Sequence, residues 1–308
     1  MTAVQTGERT QVRAKLRRLK GRTASRAAAI TAACAVAVSV AQAGAMTPAN
    51  AVAGLNRVSA ASVFDSSVSK AASVACPANQ VAVGGGATIG GGGEGAAVTR
   101  FAPLPGGTGF EARAYEDRVG YAANWALRVY AVCADPVAGY EIHEATSAPA
   151  SPSSASASVS CTAGKQLLGT GAAVAPGRGR VILTASIPVG DPPTSVTASG
   201  EETEGGYPDV WTVTAWAICA DPVPGHAKVV SSSGLDSASP KSSVALCPAG
   251  TTAHGTGVLI AGGSGEVKLA EVIPGPGVTP TLTRTLAYED QNGYNNDWEI
   301  RSFVICAT

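Results

Sequence analysis

The sequence predicts an all-β protein built from three disulfide-closed units, and three observations lead to this fold class. Six of the seven cysteines fall into pairs whose partners are 57, 58 and 59 positions apart. Glycine and proline are abundant, with 37 and 19 residues among 308, and few segments show a helical period. The apolar runs are short, rich in valine and isoleucine, and alternate with other residues as half-buried strands do.

Residues 1–43 are predicted to be a cleaved signal peptide that takes no part in the fold. Eight basic side chains and one acid, Glu8, lie in residues 1–26, and the uncharged residues 27–43 follow and end in Ala-Gln-Ala. A basic segment, a short apolar segment and an A-x-A end are the parts of a secretory signal. The alternative is an uncleaved anchor, although these mostly small residues make a weak membrane span. We therefore expect a secreted protein that is extracellular or loosely associated with the cell wall.

The charge outside the predicted signal peptide argues against two classes of partner. The whole chain has 22 basic and 22 acidic residues, of which 14 and 21 remain in residues 44–308. This acidic balance disfavours binding to nucleic acid or to an anionic membrane. Extracellular polysaccharide or cell wall remains open as a partner. We expect no cofactor and favour a monomer.

The cysteines predict where the units begin and end. Cys34 lies in the predicted signal peptide, and an even number of cysteines in an exported chain favours disulfide bonds. The pairs recur with a period of 85 to 87 residues, and a unit that is copied three times must contain its own bridge. The predicted disulfides are Cys76–Cys133, Cys161–Cys219 and Cys247–Cys306. The predicted units are residues 44–137, 138–223 and 224–308.

Other residues keep the same positions relative to the cysteines in all three units. Two glycines follow the first cysteine by eight and ten positions, a proline follows it by 27, and a tryptophan precedes the second cysteine by eight. A glutamate, a glycine and a tyrosine precede each tryptophan by nine, five and four positions. The repeated residues are Gly84, Gly86, Pro103, Glu116, Gly120, Tyr121 and Trp125; Gly169, Gly171, Pro188, Glu202, Gly206, Tyr207 and Trp211; and Gly255, Gly257, Pro274, Glu289, Gly293, Tyr294 and Trp298. Such a repeat indicates an architecture of three similar parts.

Five or six strands are predicted in each unit. In the first unit, residues 80–89, 95–105 and 109–116 form strands, and a last strand begins at Trp125. Alternate residues of this last strand share one face, which places the tryptophan beside the cystine. We therefore assign Trp125, Trp211 and Trp298 to the structural core. Residues 109–116 are expected to turn back into the last strand as a hairpin whose tip is the Glu–Gly–Tyr segment.

The other face of the last strand predicts how the units pack. It is polar at its start but carries an aromatic residue three positions before each final cysteine, namely Tyr130, Trp216 and Phe303. Separate domains would leave three apolar patches exposed to water. We therefore expect the antiparallel units to pack about a pseudo-threefold axis as a β-prism; the alternative is three independent small β domains in tandem. The connecting stretches are expected to form an edge strand followed by a flexible joint.

These motifs together resemble a known module. Cys-Pro-Ala-Gly or a variant, then G-x-G, then W-x7-C followed by alanine resembles a module of secreted actinobacterial proteins, and it is similar to modules at the ends of some collagen-like and phage tail proteins. The chain also resembles, more distantly, vitelline membrane outer layer protein I, a β-prism of the egg coat whose repeats are shorter. The second unit departs from the motif with Thr162 in place of proline. The resemblance covers residues 44–308 and implies a fold rather than an activity.

The acidic Glu–Gly–Tyr segments are the candidate binding sites. Carboxylates and amides beside a tyrosine are suited to hydrogen-bond a sugar, and they suit a hard cation such as Ca²⁺ less strongly. The interpretation that we favour is that glutamate and glycine shape a turn and tyrosine packs over the sheet edge. The candidate ligand-binding residues are Glu116, Tyr121, Glu202, Tyr207, Glu289 and Tyr294. The weak calcium option rests on Asp117, Asp209, Asp290 and Asp297.

No catalytic residue is predicted, and a role outside catalysis follows. No unit offers a second acid at a recurring position, so paired-carboxylate hydrolysis is not expected. The three histidines are scattered, and the glycine run at residues 84–95 lacks the GK[ST] of a phosphate loop. We expect a secreted, non-enzymatic structural or adhesive protein. The alternative is a lectin-like protein with up to three equivalent sites at the acidic hairpins.

Overall fold

The computed structural model describes residues 51–308, and the predicted signal peptide lies outside them. Eighteen strands form within the described residues, six in each repeat. The first repeat contains β1 (Asn56–Ala61), β2 (Ser69–Ala75), β3 (Val81–Gly90), β4 (Ala96–Pro103), β5 (Gly109–Glu116) and β6 (Ala126–Ala134). The second contains β7 (Glu141–Thr146), β8 (Ser154–Ser160), β9 (Gln166–Ala175), β10 (Val181–Gly190), β11 (Pro193–Glu202) and β12 (Thr212–Ala220). The third contains β13 (Ala227–Ser232), β14 (Lys241–Leu246), β15 (Thr252–Ala261), β16 (Val267–Pro274), β17 (Leu282–Glu289) and β18 (Glu299–Ala307).

The strands form three antiparallel six-stranded sheets, which confirms the all-β fold class. Sheet I has the order β1-β6-β3-β16-β17-β14, sheet II the order β2-β5-β4-β9-β12-β7, and sheet III the order β13-β18-β15-β10-β11-β8. The only helical segments in residues 51–308 are two short 3₁₀ turns, Gly93–Gly95 and Pro105–Gly107. Three disulfide-closed units arranged around a pseudo-threefold axis are therefore present.

Each sheet is shared by two repeats, which rules out three independent domains. The first, third and sixth strands of one repeat share a sheet with the second, fourth and fifth strands of a neighbour, and the third strand pairs with the neighbour's fourth. The two halves meet along a narrow seam of two residue pairs, for example Val272 with Ala87 and Glu271 with Thr88. The other two seams have the same length. Because every repeat supplies half of two sheets, no repeat completes a sheet alone.

The predicted hairpin between the fifth and last strands is wrong. β5 lies between β2 and β4 in sheet II, whereas β6 lies between β1 and β3 in sheet I. Residues 104–108 form a short connection between β4 and β5, and these strands pair as the hairpin. Residues 117–125 make a longer loop that crosses from one sheet to another. Loops of two to five residues are the usual hairpin connections, and this loop exceeds that range.

The segment expected to be a flexible joint contains a second edge strand. In the second repeat the Ser/Ala tract forms β8, which pairs with β11 over seven residues. β2 and β14 occupy the same place in the other two repeats. The first strands β1, β7 and β13 lie at sheet edges, as expected.

The repeated G-x-G motif lies where backbones of different repeats come closest. A Cβ atom on Gly84 would overlap the carbonyl oxygen of His254, and the equivalent Gly255 and Gly169 meet the carbonyls of Leu168 and Val83. These three contacts form a cycle around the axis. A Cβ on the second glycine, Gly86, would overlap a backbone carbonyl across the seam, as would one on Gly257. The motif is therefore a packing requirement of the prism.

The disulfides link different sheets. Cys76 follows β2 of sheet II and bonds Cys133 in β6 of sheet I. Cys161–Cys219 joins sheet III to sheet II, and Cys247–Cys306 joins sheet I to sheet III. All three pairs of sheets are thus covalently connected. Each bond closes a loop of nearly sixty residues, which the chain-entropy model values at about 4 kcal/mol.

The prism has two different ends. At the loop end, residues 117–125, 203–211 and 290–298 connect the fifth and sixth strands. At the connector end, the sixth strand of one repeat runs into the next repeat, and Val52 donates a backbone hydrogen bond of 2.9 Å to Thr308. A buried apolar cluster containing Val83, Leu168 and Val223 closes the axis there.

Candidate functional site

The three acidic loops meet at the loop end, at a recess that no single repeat forms. The recess is lined by Asp117, Arg118, Val119, Thr203, Glu204, Gly205, Gly265, Lys268, Asp290 and Asn292. The recess is partly open to solvent, and its space of about 30 Å³ has room for one or two water molecules. We refer to this cavity as the axial recess. The three loops therefore share one recess, and each repeat contributes different residues to its lining.

The repeated glutamate is hydrogen-bonded inside its own loop. The indole nitrogen of Trp125 donates to Oε1 of Glu116 at 2.9 Å, and the backbone N–H of Tyr121 donates to Oε2 at 3.2 Å. The second repeat has the same pair of bonds at 3.0 and 3.1 Å, and the third has them at 2.8 and 3.1 Å. The spacing E-x3-G-Y-x3-W thus lets one carboxylate join the start, middle and end of a loop.

The glycine of the motif closes a tight turn in this loop. Gly120 has a φ of 83°, and its N–H donates to the carbonyl oxygen of Asp117 at 3.2 Å. Gly206 and Gly293 have φ values of 64° and 76° and make the same kind of bond. Residues with a side chain rarely adopt this region of φ. The turn directs the following tyrosine N–H toward the glutamate.

The six candidate ligand-binding residues serve the loop more than the recess. Glu116 is buried, Glu202 and Glu289 are half-buried, and both carboxylate oxygens of each accept internal bonds. Tyr207 is buried, whereas Tyr121 and Tyr294 pack partly exposed against the core. The three repeated tryptophans, Trp125, Trp211 and Trp298, are fully buried, at 0%, 1% and 0% exposure. This geometry matches the favoured interpretation, in which glutamate shapes the turn.

Contacts between repeats hold the wall of the axial recess. The ammonium of Lys268 in the third repeat pairs with the carboxylate of Asp117 in the first, and their side chains are 1% and 8% exposed. Lys268 also donates to the carbonyl oxygen of Glu94. Asn292 donates to Glu204 at 3.1 Å, joining the third repeat to the second. Removing one partner of such a buried ion pair is costly because the other charge stays desolvated.

Two carboxyl groups around the recess are shifted toward the neutral form. Burial raises the pKa of Glu266, and the nearby carboxylates of Asp290, Glu204 and Glu289 raise it further. Burial also raises the pKa of Asp290, although the charge of Lys268 opposes this. Oδ1 of Asp290 and Oγ1 of Thr203 are buried and have no hydrogen-bond partner within residues 51–308. The recess is thus acidic and incompletely hydrogen-bonded.

The four aspartates of the calcium option lie in different surroundings. Asp117 is paired with Lys268, and Asp290 shares the recess with it, whereas Asp209 and Asp297 are exposed in their loops. In the part of the chain that the structure describes, no three histidine, cysteine, aspartate or glutamate side chains are grouped to hold a metal ion.

A pair of residues that supports the core tryptophan was missed by the sequence reasoning. The ammonium of Lys70 lies 5.1 Å from the ring centre of Trp125 and pairs with Asp65. In the third repeat, Lys241 lies 4.6 Å from Trp298 and pairs with Asp236 at 2.8 Å. The lysine side chains are only 4% and 5% exposed. The signal was a D-x4-K spacing present in these two repeats.

Comparisons with known proteins add no function. No family model matches the chain, and no curated protein matches it. Across residues 51–308 there is no helix long and apolar enough to cross a membrane. The three disulfides suit an oxidising, extracellular environment.

Proposed function

We propose that this chain is a secreted, non-enzymatic structural or adhesive protein of the extracellular space. The observation that carries the proposal is the covalent connection of all three sheets by disulfides that each cross from one sheet to another. Such a framework resists local opening, because no sheet can separate without breaking two bridges. Resistance of this kind suits a protein that must persist outside the cell.

The use of the repeated acidic motif supports this role. The glutamates that would have been the strongest sugar ligands are hydrogen-bonded to tryptophan and backbone in all three repeats. The buried groups of the loops thus maintain the fold. The outer faces of the sheets remain for contact with other surfaces.

A second candidate function is binding of a small polar ligand, such as a sugar unit, over the mouth of the axial recess, whose interior has room for only one or two water molecules. The favouring observation is the convergence of three loops around one polar cavity with exposed Arg118 and unpaired buried oxygens on Asp290 and Thr203. Arginine and amide groups at the mouth of a cavity are common donors to sugar hydroxyls. This candidate moves the site from three loop tips to one shared position.

One sedimentation experiment separates the two functions. Oxidised residues 44–308 are mixed with purified cell wall, chitin and cellulose, and the bound fraction is measured for the parent and for Arg118→Ala/Asn292→Ala. The control is Arg113→Ala, because Arg113 is exposed on the outer face of β5 and lies away from the recess. An adhesive role predicts equal retention of all three proteins on cell wall.

The other outcomes are equally informative. Loss of retention in the recess variant alone would replace the adhesive proposal with the ligand-binding one. Failure of every protein to bind any of the three surfaces would reject both adhesion and polysaccharide binding. Glu116→Ala is unsuitable for this purpose, because it removes the acceptor of the Trp125 indole and perturbs the core.

A further inference from the structure

The edge strand β8 differs from the other sheet edges in having no charge. Six strands lie at sheet edges in the described part of the chain. Five of them contain charged residues, namely β1 with Arg57, β2 with Lys70, β7 with Glu141 and Glu144, β13 with Lys228 and β14 with Lys241. β8 reads Ser-Ala-Ser-Ala-Ser-Val-Ser. Charged residues on an edge strand, whether exposed or pointing inward as Lys70 and Lys241 do, are a usual means by which proteins prevent edge-to-edge pairing.

The backbone groups of β8 that could pair with another strand can be identified. Cys161 donates its N–H to Thr194, and Ser153 accepts from Glu202, so the odd-numbered residues of this segment face β11. The N–H and C=O groups of Ser154, Ser156, Ser158 and Ser160 therefore point away from β11, toward the open edge. None of these four N–H groups has a partner outside the β8–β11 ladder among residues 51–308.

The side chains of β8 leave space beside this edge. The four serines are exposed on the outer face, and the inward residues are Ala155, Ala157 and Val159. The hydroxyl of Ser158 bonds that of Thr197 on the neighbouring strand at 2.8 Å. No long side chain on β8 projects over the open backbone groups.

We propose that β8 pairs antiparallel with β8 of a second copy of this chain and joins two sheets III into one twelve-stranded sheet. An antiparallel pairing centred on Ala157 places Ser156 opposite Ser158 and Ser154 opposite Ser160. Because the pairing is symmetric, each of these two pairs occurs twice. The resulting four pairs use outward backbone groups and contribute about eight hydrogen bonds. No like charges face each other, although residues 44–308 of each copy contain 14 basic and 21 acidic residues. This inference goes beyond the proposed function and does not require it.

The geometry also predicts where association stops. A pairing of this kind is isologous, because the same strand is used by both copies. β8 is the one uncharged edge in residues 51–308, so the dimer has no further edge of this type to extend it. Seven residues of edge contact bury less area than a standard stable interface, which places the association in the weak class. Salt should strengthen it by screening the net negative charge of residues 44–308 in each copy.

The test compares proline substitutions at equivalent positions of two edges. Ser158→Pro removes an outward N–H of β8 without removing a bond to β11, and Ser73→Pro does the same on β2, the edge that contains Lys70. Ser158→Ala removes the hydroxyl but keeps the edge. The weight-average mass is measured by sedimentation equilibrium over a range of concentrations, after circular dichroism has shown that each variant is folded.

The proposal expects the parent, Ser158→Ala and Ser73→Pro to approach twice the monomer mass with similar dissociation constants. Ser158→Pro should weaken association at least tenfold, in line with the loss of a central pair of hydrogen bonds. Amide hydrogen exchange should slow at Ser156 and Ser158 of the parent as concentration rises, but not at Ser73. A parent that stays monomeric at every concentration overturns the proposal. It is equally overturned if Ser158→Pro associates like the parent.

Discussion

The second repeat holds its core tryptophan differently from the first and third. In those two repeats a buried lysine lies over the indole and pairs with an aspartate. In the second repeat the same two positions, which pair with Trp211 and Gly200, are Ala150 and Ala155. The glutamate bonds to tryptophan and to the tyrosine N–H are present in all three. The lysine and the aspartate are thus present together or absent together.

This difference separates what the unit requires from what it tolerates. A lysine that is nearly fully buried needs an anionic partner, because an unpaired buried charge is strongly unfavourable. Replacing both residues by small apolar ones avoids that penalty, so the pair can be lost as a unit. The glutamate cannot be lost in the same way, because the indole N–H would remain buried without an acceptor.

The largest effect is expected at the core tryptophan, which all three repeats share. Trp211→Ala and Trp125→Ala should each lower the free energy of unfolding by about 3–5 kcal/mol, as other large-to-small changes in cores do. Trp125→Ala should cost more, because Lys70 also loses the aromatic face beneath it. Guanidinium denaturation of the oxidised proteins gives both values. A loss below about 1 kcal/mol in either variant would remove these residues from the core.

A second comparison among repeats concerns the axis. His254 is fully buried at the position held by Val83 and Leu168 in the other repeats. Burial lowers its pKa to about 4, and the charge of His226 adds to the effect. The unfolded chain therefore binds the proton more readily, and stability should fall by about 3 kcal/mol as pH decreases from about 6.5 to about 4.

His254→Leu should remove most of this acid sensitivity. The variant has at this position the same residue as the second repeat, where Leu168 lies. Urea denaturation midpoints at neutral pH and near pH 4 measure the change for parent and variant. The remaining slope should come from His226, whose pKa is lowered by burial, and from carboxylates such as Glu141, whose pKa is lowered by its hydrogen bond with Lys165. An unchanged pH slope in the variant would show that His254 is not the group responsible.

A smaller effect tests the lysine–aspartate pair directly. Asp65→Ala leaves Lys70 buried without its carboxylate and should destabilise the first repeat. Adding Lys70→Ala restores the pattern of the second repeat and should recover part of the loss. Thermal midpoints of the parent, both single variants and the double variant complete the cycle. Additive losses, with the double variant least stable, would contradict the pairing.

The sequence predicted the repeated unit and its internal disulfides because both are written as fixed spacings. The positions of Cys76, Cys133 and Trp125 recur three times, and a recurring unit must contain its own bridge. Alternation in the last strand likewise placed Trp125 in the core, where it is buried. Such features depend only on the spacing of residues within one repeat.

Strand pairing between repeats could not be obtained in the same way. Alternation shows which face of a strand is buried, but not which strand lies beside it. β3 and β16 meet over two residue pairs, and no spacing along the chain marks that seam. The G-x-G motif was visible, yet its reason is the carbonyl of another repeat. The Asp65–Lys70 spacing was visible too, but its absence from the second repeat hid it.

The hydrogen bond from Val52 to Thr308 brings the two ends of the described chain together at one end of the prism. Both ends of the described chain lie at the connector end, whereas the axial recess lies at the other end of the strands. β6 crosses the prism in nine residues, which corresponds to about 30 Å. Anything attached through Val52 or through Thr308 therefore holds the prism by the same end. The three loops are then displayed at the far tip, with their orientation independent of which terminus is the anchor.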